Sequence, residues 1–191
     1  MTIRSAIALT LVFRFCLLAA PVHAQQFPEL TGRVVDNANY LGPEEEAALE
    51  QRLAQFESET GNQFVVVTLP DLKGGGNISY PEDDFTYRLG RHWGIGDAER
   101  NDGVILLAAN EERRVRIEVG YGLEPVLTDA LSATIIRNDI LPRFRDGDMG
   151  GGLVAGADAV MTQLGLPEGE ALARQDELLR SELRSAPEDE A

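Results

Sequence analysis

The chain has 191 residues, 43% of them hydrophobic, and its 32 acidic residues outnumber 17 basic ones to give a net charge of −15. This length suits a single domain with its own hydrophobic core. A surface this acidic repels phosphate backbones, so nucleic acid is disfavoured as a partner and divalent cations are favoured.

Residues 1–24 have the features of a secretory signal peptide. Arg4 precedes an apolar run from Ala6 to Ala20, and a small-residue cleavage site ends at Ala24. The run is about fifteen residues long, short of the roughly 20 that a membrane span needs, and Arg14 interrupts it. We therefore expect cleavage after Ala24 and a periplasmic or secreted protein without a membrane span.

Cleavage changes both the charge and the chemistry of the chain. It removes two arginines and no acidic residue, so 15 basic residues face 32 acidic ones and the net charge becomes −17. It also removes the only cysteine, Cys16. The mature chain is therefore expected to have neither disulfides nor thiolate chemistry.

The first part of the mature sequence alternates between strand and helix patterns. Residues 32–35 predict a brief strand that ends at Asp36. Pro43 predicts the first turn of a helix, because its missing amide has no partner there, and Gly61 predicts its end. The helix should bury Leu49, Leu53 and Phe56. Residues 63–69 (QFVVVTL) predict a central strand, and this alternation indicates an α/β layer architecture.

A loop and a second helix separate this part from the next strands. Residues 71–81 contain three consecutive glycines and predict a loop. Phe85, Leu89 and Trp93 lie four apart, as on one face of a helix, and the glycines of residues 94–96 predict its end.

The following stretch predicts an antiparallel hairpin. Residues 104–109 form a continuous apolar run, and residues 114–119 alternate polar with apolar side chains, as in a half-buried strand. Only residues 110–113 separate the two runs, which is too few for a parallel crossover.

This hairpin predicts an acidic site at one edge of the sheet. It brings the start of its first strand beside the end of its second, so Asp102 should lie near Glu118. The chain then turns through Gly120-Tyr121-Gly122, after which Thr128 or Asp129 should cap a helix that runs to about residue 141. The candidate ligands are Asp102, Glu118, Glu124 and Asp129, joined by Asp36 from another strand end. Hard cations such as Ca2+ and Mg2+ prefer such oxygen ligands.

Each acidic residue also has an ordinary explanation. Asp102 fits an Asn-Asp-Gly turn, Asp129 fits a helix start, and Glu118 fits a solvated strand face. Arg116, two residues before Glu118, is either a surface arginine or a group that pairs with a carboxylate or holds an anion. The sequence leaves these alternatives open.

The last part of the chain predicts further helices. Pro142 predicts a break, residues 143–147 a turn, and residues 148–164 a helix rich in glycine and alanine. From Pro167 onward the composition is charged and polar, which predicts a peripheral helix or a partly disordered acidic tail.

Other catalytic chemistries have little support in the sequence. His92 is the only histidine after the signal peptide, and the chain has no Gly-x-Ser-x-Gly elbow, so a structural role is predicted for it. A zinc site of His and Cys ligands is effectively excluded. No nucleotide-binding glycine motif occurs in a strand-to-helix context.

Several motifs together resemble the TPM domain family. They are VVDNANYL, TGNQFVVVTL, HWGIGDAERNDGVILLAANEERRVRIEVGYGLEPVLTDA and ILPRFRDGDMGGGLVAGADAV. The family includes thylakoid-lumen proteins of photosystem II repair and bacterial envelope proteins. The resemblance covers about residues 27–164. We therefore expect a TPM-like domain (27–165) between the predicted signal peptide (1–24) and an acidic C-terminal helix or tail (166–191).

The resemblance implies a single-domain α/β sandwich whose central mixed sheet has helices on both faces. It implies bound Ca2+ or Mg2+, with Asp36, Asp102, Glu118, Glu124 and Asp129 as ligands, and for some members a weak acid phosphatase activity. The functions to be weighed are a cation-binding accessory module for an envelope protein complex, a metal-assisted phosphomonoesterase, and a purely structural interaction domain. Many bacterial relatives carry a membrane span after the domain, and this chain is expected to lack one.

Overall fold

The computed structural model describes residues 27–73 and 85–185. The predicted signal peptide and most of the predicted loop at 71–81 lie outside these ranges. The strands are β1 (Val34–Asp36), β2 (Gln63–Leu69), β3 (Gly103–Ala109) and β4 (Arg114–Val119). The helices are α1 (Pro43–Thr60), α2 (Phe85–Trp93), α3 (Asp129–Ile135), α4 (Leu141–Arg145), α5 (Met149–Leu164) and α6 (Glu168–Ser185), with a π-helical segment at Ile136–Ile140 between α3 and α4.

The strands form one mixed sheet in the order β1-β2-β3-β4. β1, β2 and β3 are parallel, and β3 pairs with β4 in the predicted antiparallel hairpin. The register places Asp36 beside Thr68 at the carboxyl ends of β1 and β2, and Gln63 beside Gly103 at the start of β2 and β3. Asp36 and Gln63 therefore lie at opposite ends of the sheet, and β4 is an edge strand among the residues that the structure describes.

Helices cover both faces of the sheet, which confirms the predicted sandwich. On one face, Val66 and Leu106 pack with the buried residues of α1, α3 and α5. On the other, Val67 and Leu107 pack with Phe85 and Leu89 of α2. Side chains alternate between the faces along each strand, so β2 and β3 are apolar throughout because both of their faces are buried.

The predicted break at Pro142 is wrong. The chain remains helical from Asp129 to Arg145, through the π-helical segment. The amide of Leu141 donates to the Ile136 carbonyl, five residues earlier, and Pro142 then occupies the first turn of α4, where a missing amide costs little. The helix thus accommodates the proline by a local change in its hydrogen-bond spacing.

Candidate functional site

Three loops meet backbone to backbone at the start of β3, and we call this region the glycine edge (residues 94–96, 101–103 and 120–122). The Gly120 amide donates to the Gly103 carbonyl at 2.7 Å, and the Gly122 amide donates to the Asn101 carbonyl at 3.0 Å. A Cβ atom on Gly122 would lie 2.0 Å from the Arg100 carbonyl oxygen, and one on Gly120 would lie 2.2 Å from that of Asn101. Only glycine permits this close approach.

Asp102 stabilises the glycine edge through hydrogen bonds. Its side chain is buried, with 5% of the residue exposed. One carboxylate oxygen accepts a hydrogen bond from the Asp97 amide at 2.7 Å, and the other accepts one from Nε of Arg100 at 2.5 Å. The backbone carbonyl of Asp102 also accepts from the Gln63 amide at 3.2 Å. Asp102 therefore joins the loop before β3 to the start of β2.

The loop before β3 is ordered by a second carboxylate. Asp97 accepts hydrogen bonds from the amides of Arg100 and Glu99, at 3.0 and 2.9 Å, and these bonds lower its pKa. Hydrogen bonding to the Asp102 carboxylate raises the pKa of Arg100. The charged side chains of Asp97, Arg100 and Asp102 thus find partners within the loop itself.

Tyr121 projects from the glycine edge. It is 78% exposed, although both of its neighbours are hydrogen-bonded to residues 101–103. The Leu123 amide closes the turn by donating to the Gly120 carbonyl at 2.8 Å. The result is an exposed aromatic ring on a constrained backbone.

Three other candidate ligands, Glu118, Glu124 and Asp129, have different surroundings. Glu118 accepts a hydrogen bond from Nε of Arg116 at 2.8 Å, so Arg116 pairs with a carboxylate, which was one of its two predicted roles. Glu124 is exposed in the turn before α3. Asp129 is exposed in the first turn of α3, while Thr128 is the residue that caps this helix, its hydroxyl accepting from the Leu131 amide at 3.3 Å.

Asp36 lies at the opposite end of the sheet. It follows its strand, whereas Asp102 precedes a parallel one. The Asp36 carboxylate accepts hydrogen bonds from the Tyr40 and Leu41 amides, at 3.0 and 2.8 Å, and from the Thr68 hydroxyl. These contacts fasten the connection between β1 and α1.

The five predicted ligands do not fit a common metal centre in this arrangement. Across residues 27–73 and 85–185, no group of three or more His, Cys, Asp or Glu side chains is placed to hold a metal ion. The buried candidate, Asp102, already has partners for both oxygens. Cation binding by this chain stays a prediction.

A cleft that no sequence pattern predicted lies between β4 and α3, and we call it the β4–α3 cleft. It has a volume of about 270 Å3 and is lined by residues 114–117 of β4 and by Asp129, Ser132, Ala133 and Ile136. Ser132 is only 4% exposed, and its hydroxyl has no hydrogen-bond partner among the described residues. The helical spacing of the last four residues marks one face of a helix, but no sequence pattern shows that this face lies beside an edge strand.

His92 contacts an aromatic ring. Its imidazole lies 5.1 Å, centre to centre, from the ring of Phe27, close to the end of α2. The neighbouring Trp93 donates its indole N–H to the Pro28 carbonyl at 2.8 Å. These contacts hold the N-terminal segment of the described chain against α2.

The protein thus belongs to the α/β sandwich class, with a mixed four-stranded sheet in its described part. Residues 34–163 match the family model described as TPM phosphatase, TPM domain, and the chain belongs to the TPM domain family. No curated protein matches the chain.

Solved structures support the assignment. The N-terminal domain of a protein from P. gingivalis is 39% identical, with a TM-score of 0.61 over 69% of this chain and 81% of its own. The BA42 protein of Bizionia argentinensis (23% identity, TM-score 0.51, 72% of this chain and 84% of its own) shares the fold. So does the N-terminal domain of cg2496 from Corynebacterium glutamicum (20% identity, TM-score 0.52, 75% and 86%).

The helices that the structure describes include none with the length and apolarity needed to cross a membrane.

Proposed function

We propose that this chain is an exported accessory module that helps to assemble or maintain a protein complex of the cell envelope. One observation carries the proposal: Tyr121 is 78% exposed on a turn whose backbone is hydrogen-bonded on both sides of it. Tyrosine is enriched among residues that dominate binding energy, and a constrained backbone lowers the entropy lost on binding. The arginine partners of Asp102 and Glu118 favour a scaffold role for these carboxylates.

Site-specific photocrosslinking tests this proposal. A photoreactive phenylalanine analogue is placed at Tyr121 in the full chain, in the source cells, with the same analogue at Tyr87 as the matched control. Tyr87 is also an exposed aromatic residue, but it lies on α2 and outside the glycine edge. We expect one discrete crosslinked protein from position 121. Equal products from both positions, or none from either, would contradict an accessory role through Tyr121.

We also propose that the chain binds divalent cations with low affinity. Glu124 and Asp129 are exposed carboxylates, whereas Asp102 must first leave Arg100. We therefore expect Ca2+ or Mg2+ to bind with a dissociation constant of about 1 mM. Arg100→Gln should strengthen binding, because it releases the Asp102 carboxylate. Calorimetric titration of residues 25–191 measures both effects, and no heat from either protein at millimolar metal would remove the cation from the proposal.

A weak phosphomonoesterase is the second candidate. The family model bears the name of a phosphatase, and the β4–α3 cleft contains Arg116, Asp129 and the hydroxyl of Ser132. In this alternative the arginine holds phosphoryl oxygens, as in other anion sites. Hydrolysis of p-nitrophenyl phosphate should then fall at least about tenfold in Arg116→Gln. Turnover that survives both this change and Asp102→Asn would point to a contaminating enzyme.

A further inference from the structure

The ring of Tyr121 is exposed on the turn formed by residues 120–123, which we call the Tyr121 turn. The ring is 78% exposed and belongs to none of the aromatic pairs of the described chain. The turn is closed by the hydrogen bond from the Leu123 amide to the Gly120 carbonyl and packs on residues 100–103. An exposed ring on a constrained backbone can bind a partner at a small entropic cost.

Two exposed glutamates flank the Tyr121 turn. Glu124 follows Tyr121 by three residues along the chain. Glu99 precedes Arg100, whose carbonyl oxygen would lie only 2.0 Å from a Cβ atom on Gly122. Among the described residues, neither of these two carboxylates takes part in a hydrogen bond or an ion pair. Both negative charges are therefore available to a partner.

The arginines near the Tyr121 turn are already paired with carboxylates of this chain. Nε of Arg100 donates to Asp102, and its guanidinium lies 3.7 Å from the Asp97 carboxylate. Nε of Arg116 donates to Glu118 at 2.8 Å. One arginine thus faces two aspartates and the other faces one glutamate, so neither contributes an excess of positive charge. With the two unpaired glutamates added, the surroundings of the turn carry a net negative charge.

We propose that the Tyr121 turn binds an arginine side chain from a basic segment of a partner protein, with the guanidinium on the ring of Tyr121 and its charge attracted by Glu99 and Glu124. A guanidinium stacks on an aromatic face and can donate hydrogen bonds to carboxylates in its own plane at the same time. A chain of net charge −15 also attracts a basic partner over a distance and speeds its association. The proposal rests on the accessory role proposed above and names the chemistry of the partner.

Two other occupants fit the Tyr121 turn less well. A divalent cation takes several oxygen ligands, and the exposed ring supplies at most its hydroxyl. A second copy of this chain has the same net charge of −15 and is repelled. An arginine on a basic segment uses both the ring and the carboxylates.

Fluorescence anisotropy with labelled peptides tests the proposal on residues 25–191. The probe is Gly-Ser-Arg-Gly-Arg-Ser-Gly, and two control probes have lysine or glutamine in place of arginine. We expect the arginine probe to bind most tightly and the lysine probe more weakly, because an ammonium group stacks less well on a ring. The glutamine probe should bind at least about tenfold more weakly than the arginine probe. Equal affinities for the arginine probe and either control probe, or no binding of the arginine probe, would overturn the proposal.

Paired variants locate the site. Tyr121→Leu removes the aromatic face and keeps an apolar side chain, whereas Tyr87→Leu makes the same change at an exposed position of α2. Glu124→Gln removes a charge beside the turn, whereas Glu44→Gln removes one at an exposed position in the first turn of α1. The first variant of each pair should weaken binding of the arginine probe at least about threefold, and the second should leave it unchanged. Equal effects within either pair would overturn the proposal.

The remaining outcomes also discriminate. Displacement of the arginine probe by submillimolar Ca2+ at matched ionic strength would assign the carboxylates to a cation and overturn the proposal. Concentration-dependent dimerisation that Tyr121→Leu abolishes would assign the turn to a second copy and also overturn it.

The accessory role and the arginine site fail separately. Selective binding of the arginine probe, with no crosslinked protein from position 121 in cells, would support the arginine site and contradict the accessory role. One discrete crosslinked protein, with no selectivity for the arginine probe, would support the accessory role and overturn the arginine site.

Discussion

Gly120 and Gly122 allow the turn that carries Tyr121 to lie directly on residues 100–103. Added Cβ atoms at these glycines would lie within 2.2 Å of backbone carbonyl oxygens, and backbone cannot move aside as a flexible side chain can. The sequence predicted the proximity of Asp102 and the end of β4. It did not predict the partner of Asp102, because Arg100 reaches it through a local turn that a residue pattern does not specify.

Gly122→Ala should lower the free energy of unfolding by at least about 2 kcal/mol, because the backbone of residues 100–101 must shift. The control is Gly169→Ala in α6, where nothing lies within 4 Å of the added atom. The control should be neutral or stabilising by up to about 1 kcal/mol, since alanine favours a helix. Urea denaturation measures both, and equal effects would refute the steric account.

The loop before β3 should loosen in acid. The pKa of Asp97 is lowered by its bonds from the Arg100 and Glu99 amides, so this stabilisation is complete above the ordinary aspartate pKa of about 3.9 and is lost as pH falls through the lower folded value. The free aspartate side chain titrates at about 3.9. An NMR pH titration followed at the Arg100 amide should therefore report a midpoint below that value. A midpoint above that value would mean that the bonds do not form in solution.

A buried glutamine side chain on α5 links the C-terminal helix, α6, to the rest of the domain. Gln163 of α5 is fully buried, and its amide group donates to the Val126 and Ala171 carbonyls at 2.7 and 2.9 Å. Its carbonyl accepts from Arg174 at 2.7 Å. The sequence left α6 as either a helix or a tail, and this three-way contact between distant segments has no sequence signature.

Gln163→Met should destabilise the protein by about 2 kcal/mol or more, because it removes the side-chain donor to the Val126 and Ala171 carbonyls and leaves Arg174 without its acceptor on Gln163. Hydrogen exchange should accelerate most in α6, which depends on these bonds. Gln51→Met, at an exposed position of α1, is the matched control and should change stability by less than about 0.5 kcal/mol. Similar losses in the two variants would contradict the role assigned to Gln163.

Strand direction decided how well the acidic site could be predicted. The hairpin followed from a connection of only four residues, which admits one geometry. The position of Asp36 relative to Asp102 could not be predicted, because the sequence does not specify whether β1 is parallel or antiparallel to β3. The two strands are parallel, so an aspartate that ends one and an aspartate that precedes the other lie at opposite ends of the sheet. The two-faced burial of β2 and β3 was readable from their continuous apolar runs.

At the scale of the molecule, the negative charge should limit stability at low salt. A chain of net charge −15, or −17 without residues 1–24, repels itself, and salt screens this repulsion. Sodium chloride should therefore raise the melting temperature of residues 25–191 by a few degrees. Calcium chloride at matched ionic strength should add little at submillimolar concentration. A large additional rise there would indicate a tight cation site.

If Asp102 holds the glycine edge rigid beneath Tyr121, the backbone at Tyr121 should move little on the picosecond-to-nanosecond timescale. The 15N relaxation of the Tyr121 amide, in residues 25–191 and in Asp102→Ala, measures this motion. We expect an order parameter near that of the strands, about 0.85, and a clear decrease in the variant. A value below about 0.6 in the wild-type protein, or no change in a folded variant, would show that Asp102 does not have this role.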